Sequence, residues 1–174
     1  MSGGNAAEEG RVFLTVQVAS TALAPAAIGA RVVAFIIDAV VLILVQLVLG
    51  SLVGDITLAG GVVRAVIYAA ISFVYFGYSW TAMRASPGQR LLGLMTVNAD
   101  DGSTLNWSRA ATRWAWLFGP SVLSSLLQVG ALSFLGGVIV IGYGIYLLYT
   151  AATDPRKQGF HDKHAGTLVA MKAG

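Results

Sequence analysis

RVVAFIIDAVVLILVQLVLGSLV, running from Arg31 to Val53, is an apolar stretch that carries an aspartate at position 38. From Val32 to Val53 it holds 22 residues and a single ionisable group. At 1.5 Å of rise per residue, such a helix covers about 33 Å, enough to cross a hydrocarbon core of roughly 30 Å. A carboxylate within it costs about 2.5–3.5 kcal/mol on insertion scales, so it must be paired, protonated or hydrated. The stretch reads as a first membrane span with one polar group in need of a partner.

The rest of the chain agrees with a membrane setting. Of 174 residues, 56% are hydrophobic and only 11% charged, against about 25% charged in soluble domains. The mean hydropathy is +0.75. The absence of cysteine excludes disulfides, thiolate metal sites and cysteine nucleophiles. Residues 1–28 lack the basic start and clean apolar core of a signal peptide, so ALAPAA at 22–27 reads as part of a flexible leader, not a cleavage site. One membrane domain is expected over 29–172.

Val62–Met83 forms a second apolar run, joined to the first by the glycine-rich GDITLAGG at 54–61. Trp114–Ala152 has no charged residue. As one helix it would reach about 58 Å, so it must fold back, near VGALS at 129–133. The expected fold is an all-α, four-helix transmembrane bundle with both termini on one side. Ten of the eleven basic residues fall outside the runs on that side, with Arg64 the exception. The positive-inside rule makes that side cytoplasmic, as in a multi-pass protein of the cell membrane. It also explains a pI of about 9.5 by membrane-side charge, with anionic lipid as a partner and no nucleic acid.

The segment between the second and third helices has its own pattern. GLMTVNADDGSTLNW (93–107) alternates, turns at DDG and resumes, which predicts a cytoplasmic β-hairpin. Ser108 is placed to cap the third helix ahead of Arg109 and Arg113. TLVAM (167–171) has strand character and suits pairing with that hairpin.

Polar residues recur along helical faces: Tyr68, Ser72, Tyr75 and Ser79 in the second run; Ser121, Ser124, Ser125 and Gln128 in the third; Tyr143, Tyr146, Thr150 and Thr153 in the fourth. Gln46 adds one in the first. From these, Gln46, Ser72, Tyr75, Ser121, Ser124, Ser125, Gln128, Tyr143 and Tyr146 are candidates to line a polar path beside Asp38. The same residues serve equally as interhelical glue. Arg31 lies about 20° from Asp38 around the helix but about 10.5 Å along it, so Asp38, Asp162 and lipid phosphate are all open as its partner. His161, Asp162 and His164 lack the count and spacing of a metal site, so no metal is expected. SPGQR (86–90) lacks the GK[ST] ending of a phosphate loop. With no catalytic triad or nucleotide fingerprint, neither enzymatic activity nor a cofactor is expected.

Arg31 at the start of the first helix, Asp38 within it and Asp162 in FHDKHAGT resemble the arginine and two aspartates of the RDD family of bacterial membrane proteins. SPGQRLLGLMTVNADDGS (86–103) is similar to the family's threonine-glycine-lysine-arginine segment, with Ser86 and Gln89 in place of threonine and lysine. Arg113 also resembles a common family position. The resemblance implies transport of an unidentified ligand, or cation/proton antiport as in some members, with Arg31, Asp38 and Asp162 as the ion-binding charge network. Four helices leave little room for a pathway, so that role calls for a homo-oligomer or a partner membrane subunit. The competing expectation is a non-transporting accessory, assembly or anchoring subunit whose Arg-Asp-Asp network is structural.

Overall fold

In a computed structural model, residues 23–53, 60–126 and 132–172 are described. The elements are β1 (Leu23–Pro25), α1 (Ile28–Val53), α2 (Gly60–Ala82), α3 (Pro87–Leu91), β2 (Leu94–Asn98), α4 (Trp107–Leu126), α5 (Leu132–Thr153), α6 (Phe160–Ala165) and β3 (Thr167–Lys172). Most of the GDITLAGG connection, the VGA of the fold-back and Gln128 lie outside the described residues.

Among the described residues, three helices are long and apolar enough to cross a membrane: α1, α2 and α5. Their exposed surfaces carry Ile36, Val40, Leu44 and Leu47 on α1, and Ile139, Ile141 and Ile145 on α5. Such a surface suits lipid rather than water. The fourth long helix, α4, falls short of that apolarity. It starts at Trp107, ahead of the charge-free stretch that opens at Trp114, so its first two turns include Arg109 and Arg113. Asn106, not Ser108, caps it: the Asn106 Oδ1 accepts from the Arg109 backbone N–H at 2.9 Å.

The expected hairpin does not form. After the turn, residues 102–106 make no strand, although the Asn98 and Ser103 backbones meet at 2.9 Å. Instead, β2 and β1 both pair antiparallel with β3, in the order β1-β3-β2. Leu94 faces Met171, Thr96 faces Val169 and Asn98 faces Thr167. The strand at Leu23–Pro25 draws part of the expected leader into the folded unit. β3 wins over a local hairpin because its Leu168 and Ala170 close a core with Val97, while Val169 joins Ala26, Ala34 and Leu94 on the opposite face. The sheet thus gathers the chain before α1, after α2 and after α5 onto one side of the helices.

Helix packing follows the aromatic residues. Phe76 and Trp80 of α2 are buried with Ala110 of α4 and Leu105, and Trp114 and Phe118 pack around them. The Phe76 ring stacks on Phe118 at 5.0 Å. α2 therefore packs chiefly against α4, whereas the main helical neighbour of α1 is the short α3. Something specific must hold α1 to α3.

Candidate functional site

That something is Asp38. It is 2% exposed and accepts hydrogen bonds from the Tyr75 hydroxyl at 2.8 Å, the Gly88 backbone N–H at 2.8 Å and the Ser86 hydroxyl. Two of these donors belong to the SPGQR segment. Ser86 also caps α3 in a capping box: the Ser86 N–H donates to the Gln89 side chain at 3.0 Å, and the Gln89 N–H to Ser86 Oγ at 3.4 Å. Pro87 fills the first helical position, where its missing N–H costs nothing. Gln89 Oε1 further accepts from Thr96 at 3.0 Å and so ties α3 to β2. A Cβ on Gly88 would overlap the carbonyl oxygen of Ala34, so only glycine allows α3 this close to α1. The spacing Ser86-Pro87-Gly88-Gln89 is a capping-box signature with a glycine inside it, legible in the sequence as a short helix start.

Asp162 is fully buried at the start of α6, where three cationic or N–H donors converge. Arg31 and Arg113 each form an ion pair with it, and the Gly159 backbone N–H donates at 2.9 Å. Arg31 also donates to the Lys157 carbonyl, and Arg113 to the Thr167 hydroxyl at 2.7 Å. The Arg113 guanidinium lies 4.9 Å from the centre of the Trp80 ring. Of the three partners left open for Arg31, the structure selects Asp162. The expected constellation is therefore two separate clusters: Asp38 among neutral donors, and Asp162 between two arginines.

Burial alone would push the Asp162 carboxyl up, but the charges of Arg113 and Arg31 outweigh it and hold the group well below the usual carboxylate range. His161 lies beside it, with Nε2 at 3.5 Å from Asp162. Burial is the main cause that lowers His161 to about 3, with Arg113 and Arg31 acting in the same direction against the attraction of Asp162. The imidazole is neutral at neutral pH.

A cavity of about 360 Å³ is bordered by residues of both clusters, Asp38, Ser86 and Gln89 from one and Arg31, Arg113 and His161 from the other. Its walls are otherwise mostly apolar and come chiefly from α1, α4 and α5. Among the polar-path candidates, Ser121 and Tyr143 border it. The hydroxyl of Tyr143 is already bonded to the Trp116 carbonyl. Ser72 accepts from Trp114 at 3.2 Å and Ser125 returns to the Ser121 carbonyl at 2.8 Å. Ser124 packs against Gly136, and Tyr146 against the Phe160 ring at 5.5 Å. Gln46 is half-buried on α1, away from the cavity lining. No group of His, Asp and Glu able to hold a metal ion occurs among the described residues.

Apolar helices fastened to a small three-stranded sheet by two buried carboxylates define a helical membrane protein. The RDD family model matches residues 25–166, and the chain belongs to that family. No curated protein and no solved structure matches it significantly.

Proposed function

We propose that the protein is a non-transporting membrane module that holds its sheet on the cytoplasmic ends of the helices as a platform for a partner subunit. The observation that carries this reading is the saturation of both carboxylates by the segments they fasten. Asp38 accepts from Tyr75, Ser86 and Gly88, and Asp162 from Arg31, Arg113 and Gly159. A cation at Asp38 would have to displace the Gly88 N–H and turn the Tyr75 and Ser86 hydroxyls away from the carboxylate they now donate to. The cytoplasmic assignment rests on the excess of basic residues on the sheet side.

A second reading, cation/proton exchange, draws on one observation: Asp38 borders the cavity and no Lys, Arg or His forms a salt bridge with it among the described residues. A pH-gradient assay in proteoliposomes separates the two. With Na⁺, K⁺ or Li⁺ added, the module reading expects gradients identical to protein-free vesicles for both wild type and Asp38→Asn. Gradient collapse that depends on the cation, and that disappears in a folded Asp38→Asn variant, would establish exchange instead.

A further inference from the structure

The corner where α3 ends is cationic and apolar at once, and neither carboxylate cluster uses it. Leu91 is 72% exposed, and Arg90 and Leu92 on either side of it are exposed as well. Arg90 forms no salt bridge among the described residues, and the acceptor its side chain meets there is the Met83 sulfur at 3.6 Å. A thioether is a weak acceptor, whereas a guanidinium carries five donors.

The depth of the corner decides what covers it. The Gly88 N–H reaches Asp38 at 2.8 Å, and a Cβ on Gly88 would overlap the Ala34 carbonyl, so α3 lies beside the Ala34–Asp38 turn of α1. Counted from Ile28, where the apolar span begins, that turn stands about 9–15 Å along the helix at 1.5 Å per residue. At the same level Val33, Phe35 and Ile36 of α1 are exposed and apolar, as a lipid-facing surface is. The end of α2 agrees. Met83, which Arg90 touches, follows its last residue, and the exposed Tyr78 lies about one turn before that end. Tyrosine gathers where hydrocarbon meets headgroups. The Arg90 guanidinium thus stands on the headgroup side of Tyr78, with Leu91 and Leu92 next to it.

We infer that Arg90, Leu91 and Leu92 form a lipid-binding wedge in the leaflet on the sheet side, with the leucines against acyl chains and the Arg90 guanidinium on the phosphate of an anionic phospholipid. A phosphate accepts two parallel bonds from a guanidinium, which the Met83 sulfur cannot replace. A choline lipid also has a phosphate, but its ammonium offsets the charge, so the anionic lipid is favoured. The same helix gives Ser86 and Gly88 to Asp38, so the Asp38 cluster holds the wedge at this depth.

Site-directed fluorescence quenching tests the inference. The chain has no cysteine, so Leu91→Cys carries a single bimane probe. The full chain is placed in nanodiscs of phosphatidylcholine and phosphatidylglycerol, with probes at Leu44 on the outer face of α1 and at the exposed Asp101 as lipid and water references. Doxyl groups carried high on the acyl chain should quench the Leu91 probe, as groups carried low on it quench the Leu44 probe. Aqueous iodide should quench the Asp101 probe and spare the Leu91 probe. Doxyl phosphatidylglycerol should quench at Leu91 more than doxyl phosphatidylcholine at equal mole fraction, by about fivefold for one basic residue at an anionic surface, and Arg90→Gln should abolish that preference. Circular dichroism and elution volume report whether each variant is folded, and a probe at Leu92 decides if Leu91→Cys does not fold. Iodide quenching equal to that at Asp101 would overturn the wedge and leave the corner to a protein partner. Protection from both quenchers would overturn it as well. Equal quenching by the two lipids, or a preference unchanged in Arg90→Gln, would overturn the phosphate assignment.

Discussion

Asp38 and Asp162 are both buried carboxylates, yet their surroundings make them respond differently to substitution. Asp162 compensates two guanidiniums. Its replacement by Asn leaves Arg31 and Arg113 facing each other without an anion, which should cost about 3–5 kcal/mol, the range for breaking a buried pair. Asp38 faces only neutral donors. Asn at 38 still offers a carbonyl oxygen, so the expected loss is about 1–3 kcal/mol, the cost of a buried group left unsatisfied. Thermal unfolding of the two variants in one detergent should place Asp162→Asn well below Asp38→Asn. Gly88→Ala drives a methyl into the Ala34 carbonyl, and overpacking of this kind costs about 1–3 kcal/mol. Because α1 relies on α3 for its packing, that variant should also expose Arg90 to trypsin faster than wild type, as followed by the appearance of the cut at 90.

At the scale of elements, close approach is achieved with small residues. A Cβ on Gly136 of α5 would overlap the Ser124 hydroxyl of α4, so the small residue lets the Ser124 side chain pack against the α5 backbone, as membrane helices often do. Gly136→Leu should separate them and cost about 1–3 kcal/mol, read as a lower midpoint of thermal unfolding. Gly136→Ala should be milder, since the Ser124 side chain can rotate away. Trp107 reaches across to α2 in a similar way: a Cβ on Gly77 would lie 2.7 Å from its ring. The first turns of α4 are thereby fixed between α2 and the sheet. This explains how a helix with two arginines, one of them only 3% exposed, belongs to an otherwise apolar bundle. Arg113 is not a charge stranded among apolar groups; it is the partner that lets α6 bury Asp162.

For the whole molecule, the Asp162 cluster makes stability depend on pH. His161 titrates at about 3 when folded and near 6.5 when unfolded, so between those values the unfolded chain binds the extra proton. Stability therefore rises with pH across about 3 to 6.5 and is fully present above that window. Asp162 acts with the same sign at lower pH: its depressed carboxyl gives stability that is present above the unfolded carboxyl value and lost as pH falls through the folded one. Midpoints of thermal unfolding measured from pH 8 to pH 4 should fall on acidification. In a folded His161→Gln variant the fall between pH 6.5 and pH 4 should be smaller.

Much of this protein was determined by its sequence alone. Long runs of apolar residues establish membrane helices because length and hydropathy are local properties, and Arg31, Asp38 and Asp162 mark the family. Capping by Ser86 and the turn at Asp100–Gly102 are also encoded within a few residues. Other features were decided only by tertiary structure. TLVAM pairs with the 94–98 strand as expected, but the second strand of the hairpin expected at 93–107 does not form, because Leu168 and Ala170, from more than sixty residues away, close the apolar face of β2. The third helix, expected behind a Ser108 cap, begins instead at Trp107 behind Asn106, and its Arg109 and Arg113 find partners that only the folded chain supplies. The partner of Arg31 could not be chosen from helical geometry, which constrains neighbours on one helix and says nothing of Asp162, 131 residues later. Local periodicity fixes which residues share a face; which distant faces meet depends on the packing that satisfies buried charge.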